Sequence, residues 1–82
     1  MGLNMNEEDL IKLIAKALEI DIKKINHNSS SSNIENWDSL GHLAILVALD
    51  KKFNGRISSI STFSTADSIK KIFNELKKNK II

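Results

Sequence analysis

The residues able to do chemistry are few and mostly isolated. His27 and His42 stand 15 positions apart, outside any HExxH-type spacing, and there is no cysteine, so neither a histidine-pair nor a thiolate metal site is expected. Gly2, Gly41 and Gly55 are scattered, which excludes a glycine-rich phosphate loop. Hydroxyls and carboxylates abound, but the sequence singles out no Ser–His–acid arrangement among them. Ser39 and His42 lie one helical turn apart, the spacing of a nucleophile and its base, and equally that of any i,i+3 pair with an exposed helix histidine. There remains Trp37-Asp38-Ser39-Leu40, which delivers a serine to the start of an apolar run. In the first turn of a helix the backbone N–H groups lack partners and the dipole is positive, so a phosphate on Ser39 would be electrostatically welcome. The same Asp38-Ser39 pair is also what an ordinary helix cap looks like.

Placing that serine requires a helix starting at Asp38 or Ser39, and the sequence predicts one running to about Phe53 or Asn54 and closed by Gly55. Its stretch Leu40 to Leu49 is apolar on nearly every face, which in so small a protein implies a central helix, an outer face that meets another protein, or both. A first helix is expected over about Glu7–Glu19, with Asn6 as N-cap and a stripe of Leu10, Leu13, Ile14, Ala17 and Leu18. Between the two, Ile20, Ile22, Ile25, Ile34 and Trp37 flank the run Ser29–Asn33, the pattern of a long loop pinned to a core rather than a free tether. Ile57, Ile60 and Phe63, spaced by three, predict one short helical turn. Thr65 with Ser68 resembles a weakened capping box ahead of a last helix buried through Ile69, Ile72, Phe73 and Leu76. With no proline and little alternation of apolar and polar residues, the fold class expected is all-α, three main helices plus a short one.

Composition narrows the function classes. The 82 residues have room for one domain, at a size where folding buries only about 60% of the unfolded chain's surface. A deep enclosed active site is therefore not expected. The absence of cysteine suits a reducing cytoplasm, and any thiol chemistry must use a borrowed thiol. No apolar run approaches the about 20 residues that cross a bilayer, so a cytoplasmic protein without membrane insertion is expected. Met1-Gly2 resembles the start of a myristoylation signal, but Asn6 stands where Ser or Thr is needed and Met5 is an alternative start. The formal charge of +2 conceals a split, −3 over residues 1–38 and +5 over residues 39–82.

Asp38-Ser39-Leu40, with Trp37 before it and Leu43, Leu46, Val47, Leu49 and Phe53 after it, resembles the modification site and second helix of acyl carrier proteins. Helix order, the long first loop and the Ile57–Phe63 turn extend the resemblance over nearly the whole chain. It implies a small four-helix bundle whose serine, here Ser39, carries 4′-phosphopantetheine donated by coenzyme A, with Asp38 and Leu40 beside it. It also implies a thioester-bound acyl or aminoacyl cargo and a chain that is substrate and carrier rather than enzyme. The partners implied are a phosphopantetheinyl transferase using Mg²⁺, an acyl- or aminoacyl-loading ligase, and an acyltransferase or synthase. Trp37, His42, Leu43, Asp50 and Ile60 are the expected docking residues. Leu43, Ile45, Leu46, Val47, Leu49, Ile60, Phe63, Ile69, Ile72 and Phe73 are the candidates to line an interior that shelters the acyl chain.

One departure bears on partner choice. Fatty-acid carriers of this kind have a strongly acidic second helix, whereas here Gly41, His42 and Ala44 lead to Asp50, Lys51 and Lys52, and only Asp50 keeps the sign. A specialised pathway, such as surface-polysaccharide decoration, amino-acid activation or polyketide-type biosynthesis, is expected before bulk fatty-acid synthesis. The competing classes are a small basic helical nucleic-acid-binding module, favoured by the pI of about 9.0, and a structural adaptor docking through its second helix. Against the first, the second helix is mostly apolar and Arg56 is the single arginine, so no nucleic acid is expected. Nothing in the sequence demands more than a monomer.

Overall fold

The computed structural model describes residues 5–82; the Met1-Gly2 reading falls outside them. Three α-helices carry the fold: α1 (Glu7–Leu18), α2 (Ser39–Lys52) and α3 (Ile69–Lys78). Two 3-10 turns, Ile22–Lys24 and Ser61–Thr65, lie between them. Among the described residues there is no strand, only an isolated antiparallel bridge from Ser30 to Ser68, and no helix is long and apolar enough to cross a membrane. The all-α class is thus observed, as three helices plus 3-10 turns.

Each helix begins where a side chain can satisfy its free N–H groups. Asn6 and Asp9 form a reciprocal capping box on α1, with the Asp9 N–H donating to Asn6 Oδ1 at 2.8 Å. Glu19 ends that helix in the left-handed region, at φ 56°. For α2 the cap is Asp38, and for α3 it is Ser68, whose hydroxyl accepts from the Lys71 N–H at 3.1 Å. The start of α3 therefore lies beyond the expected Thr65, which closes the second 3-10 turn. The reason is long-range: the Ile69 N–H donates to the Ser29 carbonyl and the Ser31 N–H to the Asp67 carbonyl, so the serine loop claims the backbone just ahead of α3. The short turn itself falls at Ser61–Thr65 rather than across Ile57–Phe63, because Ile57 and Ser58 are held instead by the Asp50 carboxylate.

The core gathers Leu10, Ile14 and Leu18 from α1, Ile45 and Leu49 from α2, and Ile69, Ile72 and Leu76 from α3, closed by Trp37, Phe53, Ile57 and Phe63 from the connections. The helix α1 packs on both α2 and α3, while α2 and α3 meet chiefly through the second 3-10 turn, which contacts each of them. The long loop is pinned as expected except at Ile22, which is 44% exposed. Ile25 and Trp37 are buried, Ile20 and Ile34 pack against the core, and the Ser29 hydroxyl accepts from the Asn26 N–H at 2.9 Å.

Candidate functional site

Ser39 is the first residue of α2 and is exposed. The Asp38 carboxylate accepts the Gly41 N–H at 2.8 Å, and the Asp38 carbonyl accepts the His42 N–H at 2.8 Å. That leaves the N–H groups of Ser39 and Leu40 at the positive end of the helix dipole, where an anion attached to Ser39 Oγ is favoured.

The approach to Ser39 is fixed by a close contact that only glycine allows. A Cβ at Gly41 would overlap the Asn36 carbonyl oxygen and come within 2.9 Å of Leu18 Cδ2. Asn36 in turn donates its side-chain N–H to the Leu18 carbonyl at 3.0 Å, so one residue clamps the end of α1, the loop and the first turn of α2 together. Neither Asn36 nor the close approach at Gly41 was read from the sequence. The available signal was a glycine inside an otherwise apolar helix, which marks tight packing.

Beneath the serine lies a second set of contacts. Trp37 is buried, and its indole Nε1–H donates to His42 Nδ1 at 3.0 Å, the two rings lying 16° from parallel with centroids 6.3 Å apart. An indole nitrogen only donates, so Nδ1 is the acceptor and the ring hydrogen sits on Nε2, which donates to the Phe63 carbonyl at 2.9 Å. Both nitrogens of His42 are thereby engaged. His42 is neither the base of Ser39 nor an exposed helix histidine; it is a strut between α2 and the second 3-10 turn. Trp37 likewise supports the site from inside rather than presenting a face.

Two grooves share a wall at Ser64, and Ser39 lines the first of them. One, of about 510 Å³, is polar and lined by Ser31, Trp37, Asp38, Ser39, His42, Ser64 and Asp67. Asp67 is exposed, and its carboxyl is held below the ordinary carboxylate value, first by the hydrogen bond from Lys71 at 3.1 Å and then by the lysine's charge. The other, of about 380 Å³, is mainly apolar: Leu43, Leu46 and Val47 face Ile57, Ile60 and Phe63 across it. Ser64 belongs to the walls of both.

Of the residues expected to line an interior, Ile45, Leu49, Phe63, Ile69 and Ile72 are buried, and Leu46, Ile60 and Phe73 are half-buried. Leu43 and Val47 are instead 57% and 50% exposed and form the outer lip of the apolar groove, because the faces of α2 turned to the core are already filled. Leu40, next to Ser39, is 78% exposed. Asp50 is committed internally, one carboxylate oxygen accepting both the Ile57 and Ser58 N–H groups at 3.1 and 2.9 Å. Among the described residues there is no group of three or more His, Asp or Glu placed to hold a metal ion, and no buried side-chain nitrogen or oxygen lacks a partner. No protein-family model matches the chain, and no solved structure matches it.

Proposed function

We propose that the chain is an acyl carrier protein, with 4′-phosphopantetheine transferred from coenzyme A to Ser39 Oγ as a phosphodiester, the pyrophosphate bond breaking and 3′,5′-ADP leaving, and an acyl or aminoacyl group presented from it to partner enzymes. One observation carries the reading. Ser39 is an exposed serine on the first turn of a helix, at the rim of a polar groove that shares Ser64 with an apolar groove of about 380 Å³.

The residues present suit the arm. Its phosphate would sit at the N-terminus of α2, against the N–H groups of Ser39 and Leu40, while the Asp38 carboxylate is turned into the helix by its bond to Gly41. Ser31, Ser64 and the Asp67 carboxylate, which line the 510 Å³ groove, would be polar partners for the amides of the arm. When attached, the group supplies the thiol that a cysteine-free chain lacks, on which a cargo is held as a thioester. The chain's own work is to hold Ser39 in the open, to keep His42 away from it, and to offer Leu43, Leu46, Val47 and Ile60 as apolar shelter. In this reading the Ser61–Thr65 turn takes the place of the short helix of a four-helix carrier bundle. The partners are the transferase, a loading ligase and a synthase or acyltransferase, encountered in the cytoplasm by a monomer. The lack of net negative charge on α2, one acid against two lysines, favours a specialised biosynthetic route.

The test is intact mass after incubation with coenzyme A, Mg²⁺ and a broad-specificity phosphopantetheinyl transferase, with Ser39→Ala alongside. A single phosphopantetheine adduct on the parent and none on the variant is expected. A folded parent that stays unmodified at high transferase concentration would leave Ser39 an ordinary first-turn residue behind the Asp38 cap.

A further inference from the structure

The outer face of α2 carries a charge pattern as well as an apolar strip. At 3.6 residues per turn, Leu40, Leu43, Val47 and Lys51 fall within about 80° of one another, a single stripe starting beside Ser39. Around Leu40, at the Ser39 end, the neighbouring groove is walled by the exposed Glu19 and Glu35; Asp38 also lines it, but its carboxylate is tied to the Gly41 N–H. At the far end stand Lys51 and Lys52, with Arg56 in the turn that follows, also exposed. Asp50, the one acid of α2, cannot offset them at a docking face, because its carboxylate is tied to Ile57 and Ser58. The stripe is therefore polarised, acidic at the serine and basic about 20 Å away at 1.5 Å per residue.

We propose that this stripe docks partner enzymes whose surface has the opposite split: basic groups around the entrance that receives Ser39, and carboxylates about 20 Å from it, either side of an apolar furrow for Leu40, Leu43 and Val47. The inference rests on the carrier reading and names the partner of that site. Three exposed apolar side chains fall short of the about 20–30 residues a side of a standing interface, which suits a partner met briefly and repeatedly. Three basic groups beside leucines are too few and too apolar a surround for a nucleic acid, which takes polar contacts along its backbone. Charge pairing of this kind sets encounter rate and choice of partner, and salt erases it.

The experiment compares kcat/KM for phosphopantetheine transfer to Ser39 between the parent and K51E/K52E/R56E. It uses a transferase with a uniformly basic docking surface and a form of it whose distal docking lysines are replaced by glutamate. The triple variant should be modified about tenfold faster than the parent by the basic enzyme, and about tenfold more slowly by the glutamate form. Both differences should close at high salt. Equal rates for parent and variant with both enzymes would overturn the proposal while leaving the carrier reading intact. No adduct on either chain, with circular dichroism showing both helical, would remove the carrier reading and this partner with it. A parent that sediments as a dimer and becomes monomeric in Val47→Asp would assign the face to a second copy and also overturn the proposal.

Discussion

Helices α2 and α3 spend their apolar residues differently. In α3, Ile69, Ile72 and Leu76 are fully buried, and Lys70, Lys71, Lys77 and Lys78 fill the outside, so packing accounts for every large aliphatic side chain on it. In α2, Ile45 and Leu49 are equally buried, yet Leu40, Leu43 and Val47 remain 50–78% exposed. The fold does not need these three. An exposed apolar strip beside an exposed serine hydroxyl, bordered by charge, suits the docking face proposed above. The helix that folds the protein and the helix that presents Ser39 are thus the same element seen from two sides, whereas α3 only folds it.

The largest effects should separate those two sides. Leu49→Ala in α2 and Ile72→Ala in α3 each remove a fully buried side chain and should cost about 2–5 kcal/mol in urea unfolding. Leu40→Ala should change stability by no more than about 0.5 kcal/mol. A Leu40→Ala cost near that of Leu49→Ala would make the outer face structural and break the comparison. Next in size is Gly41→Ala. On an open helix surface this change stabilises by about 1 kcal/mol through helix propensity. Here the Asn36 carbonyl and Leu18 occupy the space, so the sign should reverse to a loss of about 1–3 kcal/mol. Transfer to Ser39 should fall with it, read by intact mass under native conditions, because the first turn must tilt to admit the methyl.

Much of this was legible in the residues. The helical spacing of α1, its Asn6 cap, the Asp38 start of α2 and the burial of Ile69, Ile72 and Leu76 follow from local patterns whose physics is local. The position of Ser39 on a first turn followed too. What the sequence did not carry were contacts between distant segments. The α3 start moved to Ser68 because the Ser29–Ser31 loop pairs with its approach. His42 reads as an ordinary surface histidine until Trp37 and Phe63 are brought to its two nitrogens, five and 21 residues away in the chain. Asp50 reads as a free docking acid until the turn after α2 folds back and uses its carboxylate. Leu43 and Val47 cannot be told from core residues in a helix apolar all round, since periodicity says which residues share a face, not which face has a neighbour.

The smallest effect concerns how each helix start is held. The N-terminus of α2 is tied by Asp38 to its own backbone, whereas α3 adds an exposed ion pair, Asp67 to Lys71, on the wall of the polar groove. Asp67 titrates below its ordinary value of 3.8 in the folded protein, chiefly through the Lys71 hydrogen bond. Its folded form therefore binds its proton less readily than the unfolded chain does. The pair's contribution is present above 3.8 and is lost as the pH falls through the lower folded value. Lys71→Met should accordingly lower Tm slightly near neutral pH, with the gap to the parent closing as the solution is acidified, and high salt should shrink it at every pH. A gap independent of both pH and salt would mean that the charge pair with Asp67 is not what Lys71 contributes. The start of α3 would then be held by the Ser68 cap and the serine loop alone, as firmly backbone-bound as the start of α2.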